Sequence, residues 1–276
     1  MRPDLRIQQA VLLSDNRTIR VLARTPELDV PEAERIAVLY GPRPAGVACP
    51  LAHFACPFGA AHVAVVRVED RPGGFLGFRF LILAQELYRY LGDPFAIADR
   101  YPPNWLASGP LRELTWPEEL LPERTLEQLD AVLKAGDTGL LLAATQVLVD
   151  GNRVLLRRGE PDEAFARGVW LLLPERTRRN LWPASFAFSE ELGFHLALGP
   201  TLPTPTNDPI QPLTEEAIRD YPSSPYELNL QIAIETGDRE ALRRLLARRT
   251  SDEAIRLGLY ILAFSLIVAV VFRFVL

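Results

Sequence analysis

The chain has 276 residues, 24% of them charged, and a formal net charge of −5, which argues against a broad nucleic-acid-binding surface. Its length suffices for one large domain or two small ones with a proper core. Lys134 is the sole lysine, which removes the phosphate-loop lysine and most Schiff-base chemistry, and two cysteines in so long a chain supply no disulfide framework and point to a reducing compartment.

Residues 6–13 and 18–23 are short β-prone runs around Ser14-Asp15-Asn16-Arg17, which predicts a hairpin. Residues 31–40 predict a helix, with proline at its first position, acids in its first turn and Gly41 after its end. A proline-rich loop is expected over 41–59. A strand follows at 62–69, then a turn at Gly73-Gly74, an apolar strand at 75–83 and a helix at 84–91. Residues 92–122 predict an aromatic, proline-rich connection running over a surface. Helices are expected at 123–135, 138–149 and 162–173, and strands at 153–157, 184–188 and 194–198. The mixture predicts an α+β fold with a largely antiparallel sheet, its head spanning residues 1–200.

Residues 201–223 predict a proline-rich linker, and residues 224–250 a helical hairpin next to a membrane. Ser224-Pro225-Tyr226-Glu227 reads as a capping box with proline at the first helical position, and Asp238 as the cap of a second helix striped by Leu242, Leu245 and Leu246. A further capping box at 250–253 leads into residues 257–276, whose only charge is Arg273. At about 1.5 Å of rise per residue, some twenty apolar residues span a bilayer core of about 30 Å, so 251–276 is expected to be a single-pass transmembrane tail anchor. Arg239, Arg243, Arg244, Arg248, Arg249 and Arg256 precede the span. By the positive-inside tendency they place the head on the cytoplasmic side of the membrane. The N-terminus has no apolar h-region, so no secretory signal is expected.

Chemistry-bearing residues concentrate in one place. Cys49, His53, Cys56 and His62 fall within fourteen residues and supply the sulfur and nitrogen donors that zinc takes tetrahedrally, although their spacing is not that of a standard zinc finger. The alternative is two small buried thiols beside Phe54 and Phe58, with His62 opening a strand. No nucleophile elbow occurs, and paired carboxylates such as Glu118-Glu119 and Glu190-Glu191 read as solvated. No catalytic residue and no cofactor other than this zinc is expected.

The blocks LLLAATQVLVDGNRVLLR (140–157), WLLLPERTRR (170–179) and LWPASFAF (181–188), with RIQQA (6–10) and IRVLART (19–25), resemble the pattern of the GTPase-associated protein one family over residues 5–200. The resemblance implies a bacterial protein of GTPase-centred conflict or regulatory systems that acts as a non-catalytic adaptor, and it carries over no catalytic residue. The leading expectation is therefore a tail-anchored adaptor that recruits a protein partner, a GTPase system in the family's case, to a membrane. The alternatives are a zinc-dependent enzyme or zinc-stabilised module, and a homo-oligomer formed through the tail, where Ala263, Ser265 and Ala269 allow close helix approach.

Overall fold

The computed structural model describes residues 4–15, 17–200, 212–222 and 225–247. The expected span at 257–276, the capping box at 250–253, Ser224 of the earlier capping box, Arg248, Arg249 and Arg256, and most of the linker lie outside the described residues. The chain opens with β1 (Arg6–Ser14), β2 (Ile19–Arg24) and α1 (Val30–Leu39). Next come β3 (Ala52–Phe58), β4 (His62–Arg71), β5 (Phe75–Ala84), α2 (Gln85–Leu91) and α3 (Pro94–Arg100), then the short bridges β6 (Gly109–Pro110) and β7 (Leu114–Thr115). The second half holds α4 (Leu126–Ala135), α5 (Thr138–Val149), β8 (Arg153–Arg157), α6 (Glu163–Leu172), α7 (Glu175–Arg178), β9 (Pro183–Ala184) and β10 (Leu196–Gly199). It closes with β11 (Pro212–Leu213), α8 (Glu215–Arg219), α9 (Pro225–Thr236) and α10 (Arg239–Leu246).

The strands form one mixed sheet in the order β11-β8-β10-β9-β3-β4-β5-β1-β2-β6, with β7 beside β1. Its long strands, β1 to β5, are antiparallel, whereas β9, β10, β8 and β11 make a short parallel wing joined at Phe54 and Ala184. The fold is α+β with a mostly antiparallel sheet.

Side chains alternate across a strand with a period of two, and here the two faces differ. Even-numbered residues of the central strands (Phe54, Cys56, Ala64, Val66, Phe78, Phe80) join a large apolar core with α1 and with α4, α5, α6, α8, α9 and α10. Odd-numbered residues (Ala55, Val63, Val65, Leu81, Leu83) build a smaller core with Ile7, α2, α3 and Trp116.

Several boundaries differ from expectation for physical reasons. The loop expected at 41–59 contains β3, because Pro57 sits near the strand's end, past the one position where β3 meets β9, so its missing N–H costs no ladder bond there. The connection at 92–122 contains α3, capped by the Asp93 side chain with Pro94 in the first turn. The strand expected at 184–188 is largely irregular. Its amides find scattered acceptors, Ser185 on His53, Ala187 on Leu198 and Phe188 on Tyr40. α4 starts at Leu126 rather than at 123, where Thr125 and Gln128 form a reciprocal capping box.

Residues 212–222, expected to belong to a linker, supply β11, which pairs with β8, and α8, whose Ile218 is buried in the large core. The expected hairpin at 224–250 also packs on the head. Tyr226, Leu230, Ala233, Ile234, Leu242 and Leu246 lie in the large core, and the Tyr226 hydroxyl donates to the Leu172 carbonyl at 2.6 Å. Arg239, Arg243 and Arg244 lie exposed on α10. Among the described residues no single helix is long and apolar enough to cross a membrane. The pair α4 and α5 together passes by length and composition, but is bent by 118°.

His195 ties the parallel wing together. Its amide donates to the Trp182 carbonyl at 2.8 Å, and its ring Nδ1 accepts from the Trp182 amide at 3.1 Å. Burial, with the Arg153 charge adding to it, pushes the imidazole down to about 4 from an ordinary 6.5. The folded chain thus resists a proton that the unfolded chain accepts, so this contribution to stability is complete above pH 6.5 and is lost as pH falls towards 4. The loss is on the order of 3 kcal/mol. Urea midpoints of the wild type are expected to fall more steeply between pH 6.5 and 4 than those of His195→Asn, which keeps an acceptor without the titration. Parallel profiles would contradict this.

Candidate functional site

The expected zinc set is not assembled. Strand alternation puts Cys56 in the large core and His53 on the opposite face of β3, Cys49 is buried in the large core ahead of β3, and His62 is exposed at the start of β4. Among the described residues no group of three or more His, Cys, Asp or Glu side chains is placed to hold a metal ion. Both thiols are buried and free. Burial pushes Cys49 up to about 12 and Cys56 higher still. Cys49 lies 3.9 Å from the Tyr40 hydroxyl, which donates to the Phe186 carbonyl.

His53 instead joins a polar cluster that sequence spacing does not reveal. Its Nδ1 lies 2.9 Å from a Glu163 carboxylate oxygen, and the Ser185 hydroxyl donates to the other oxygen. Arg167 donates to Glu163 at 2.9 Å and grips Asp99 with two bonds of 2.7 and 3.0 Å. Burial pushes the Glu163 carboxyl up, but the bond and charge of His53, then the bonds from Ser185 and Arg167, outweigh it and the net shift is downward. An ionised carboxylate only accepts, so His53 donates through Nδ1, leaving Nε2 buried with no partner among the described residues.

Serine, glutamate and histidine are thus together, but in the wrong order for nucleophilic catalysis. The carboxylate sits between hydroxyl and imidazole, so Ser185 faces a weakly basic carboxylate and not the imidazole. Ser185 and His53 are also 0% and 1% exposed. The cluster anchors the start of α6 to β3 and to the irregular segment after β9.

The accessible chemistry lies elsewhere on the same sheet face. Val11, Arg79, Arg67 and His53 form a row across β1, β5, β4 and β3, each directly opposite the next. Glu69 and Arg71 follow Arg67 on the same side of β4 by alternation. Glu69 pairs with Arg67, lies 3.8 Å from Arg71 and accepts from the Trp105 indole at 2.9 Å. The Arg71 guanidinium sits 5.0 Å from the Trp105 ring centroid. Trp105 lies over Gly77 of β5, where a Cβ would come within 2.8 Å of the ring and of the Arg71 stem. The segment 101–107 therefore straps the polar half of the face, held there through Trp105, while the Tyr101 hydroxyl at its start donates to the Thr115 carbonyl at 2.9 Å.

Beneath this strap Arg79 is 5% exposed. Its guanidinium donates to the Phe80 carbonyl at 2.6 Å and to the Gln9 side-chain oxygen, both neutral acceptors, and it has no carboxylate partner among the described residues. Burial alone lowers it to about 10, so it stays charged at neutral pH. It lines a cavity of about 290 Å³ together with Gln9, Val11, Arg100, Asn104 and Leu111. Residues 75–83 read as one apolar run in the sequence. The signal was Arg79 itself, a charge in the middle of a buried strand.

No protein-family model and no curated protein matches this chain.

Two outcomes follow from the geometry. Gly77→Ala is expected to dislodge Trp105, red-shifting tryptophan emission and costing about 1–3 kcal/mol in denaturant titration; unchanged emission and stability would refute the strap. Cys49 and Cys56 are expected to resist an aromatic disulfide reagent at pH 8 in the native chain and to react fully in denaturant. Rapid native labelling of either would contradict their burial.

Proposed function

We propose that the chain is a non-catalytic adaptor, held by a transmembrane tail at residues 257–276, that recruits a protein partner to the cytoplasmic face of a membrane. The observation that carries the reading is the apolar run at 257–276 with arginines ahead of it, two of which, Arg243 and Arg244, lie exposed on α10. It is supported by the inaccessibility of the nucleophile-capable side chains named above, Cys49, Cys56 and Ser185. The blocks at 140–157, 170–179 and 181–188 extend the proposal to a GTPase system as the partner class, and the small residues Ala263, Ser265 and Ala269 allow self-association of the tail.

Fractionation of bacterial cells expressing the full chain tests the tether. The chain is expected in the membrane fraction and resistant to alkaline carbonate, with its head digested by protease added to inverted vesicles. Deletion of residues 257–276 is expected to release it. A full chain that stays in the soluble fraction, or a head protected in inverted vesicles, would overturn the reading.

A further inference from the structure

Arg79 presents an unresolved electrostatic problem. A buried guanidinium is normally matched by a carboxylate, because desolvating an unpaired charge is costly. Here only two of its N–H donors are taken, by a carbonyl and an amide oxygen, and the rest have no acceptor among the described residues. Its cross-strand neighbour is another cation, Arg67, and like charges directly opposite repel. Glu69 is engaged by Arg67, Arg71 and Trp105 and pairs with neither Arg79 nor Arg100. Arg100, at the end of α3, also lines the cavity, with its guanidinium 5.1 Å from the Trp116 ring centroid.

The remaining walls define the ligand. Val11, Pro102, Ala107, Leu111 and Leu114 are apolar, and the Asn104 side-chain oxygen accepts from the Leu106 amide, leaving its amide nitrogen for a guest. About 290 Å³ is at the bottom of the roughly 300–1,000 Å³ range of small-molecule pockets, which suits a small ligand. Apolar walls around a guanidinium suit a planar monoanion with a short hydrocarbon body better than a bare polyanion.

We propose that this cavity binds a small organic carboxylate, its oxygens on Arg79 and Arg100 and its apolar body against Val11, Leu111 and Leu114. The assignment goes beyond the adaptor reading and does not depend on it. The bound acid supplies the counter-charge that the sheet face lacks. It also lies under the strap, so occupancy stabilises the folded chain by linkage.

Calorimetric titration of the full chain in nonionic detergent with acetate, hexanoate, benzoate and phenylacetate tests the site, with inorganic phosphate as a separate arm. At least one organic acid is expected to bind saturably and more tightly than phosphate. Arg79→Met is expected to weaken that acid about tenfold or more, and Arg100→Gln, at the exposed rim, several-fold, with circular dichroism unchanged. If Arg79→Met does not fold, Arg100→Gln carries the comparison. No saturable binding of any acid at millimolar concentration, affinity unchanged in the variants that fold, or phosphate as the tightest probe would overturn the assignment. Membrane fractionation does not report on acid binding, so failure here is distinguishable from failure of the adaptor reading.

Discussion

The two-residue period of β1, β5, β4 and β3 is the constraint from which most of this molecule follows. In register, it sends the even positions of the central strands into the large core and sets Val11, Arg79, Arg67 and His53 in a row on the other face. A slip of one residue in β5 would drive Arg79 into the apolar core and Phe78 and Phe80 outward, and a slip in β4 would bury Arg67 there, so the register is strongly specified. The second face cannot be covered by apolar helices along its whole length. α2 and α3 close its hydrocarbon half, and its polar half needs a cover that brings hydrogen bonds.

That cover is the segment around Trp105. An indole provides a flat apolar surface and one donor, which suits a site where Gly77 leaves room below, Arg71 offers a cation and Glu69 an acceptor. At the other end of the same row the His53 ring is met by the Glu163 carboxylate, so His53, like Arg67, has an acidic partner. Arg79 is the exception, and the exception coincides with a cavity. The C-terminal elements bear on this only indirectly. α8, α9 and α10 extend the large core on the far side, and none of their residues joins the smaller core of the strapped face.

The periodic elements were legible in the sequence because local chemistry specifies them. The hairpin of β1 and β2, the helix after Pro31, β4 and β5, and the capped helices α5 and α6 all appear within a residue or two of expectation. β3 was hidden because Pro50 precedes it and Pro57 lies within it, and α3 because its Asp-Pro cap lies among aromatic and proline residues that read as a surface connection. The Cys/His grouping shows why nearness in sequence is not nearness in a sheet. His53 and Cys56 are three residues apart, an odd number, and so point to opposite faces. The site that did emerge depends on pairings between residues far apart, such as Gln9 with Arg79 and Glu69 with Trp105, which no local pattern encodes.

One carboxylate, Glu69, holds the strap over a cationic sheet face through the Trp105 indole. A double-mutant cycle of Glu69→Ala and Trp105→Phe, read as unfolding free energy, tests it most directly because it cancels the separate costs of unpairing Arg67 and Arg71. The account predicts a coupling of about 1–2 kcal/mol between the two sites. Additivity within about 0.5 kcal/mol would contradict it.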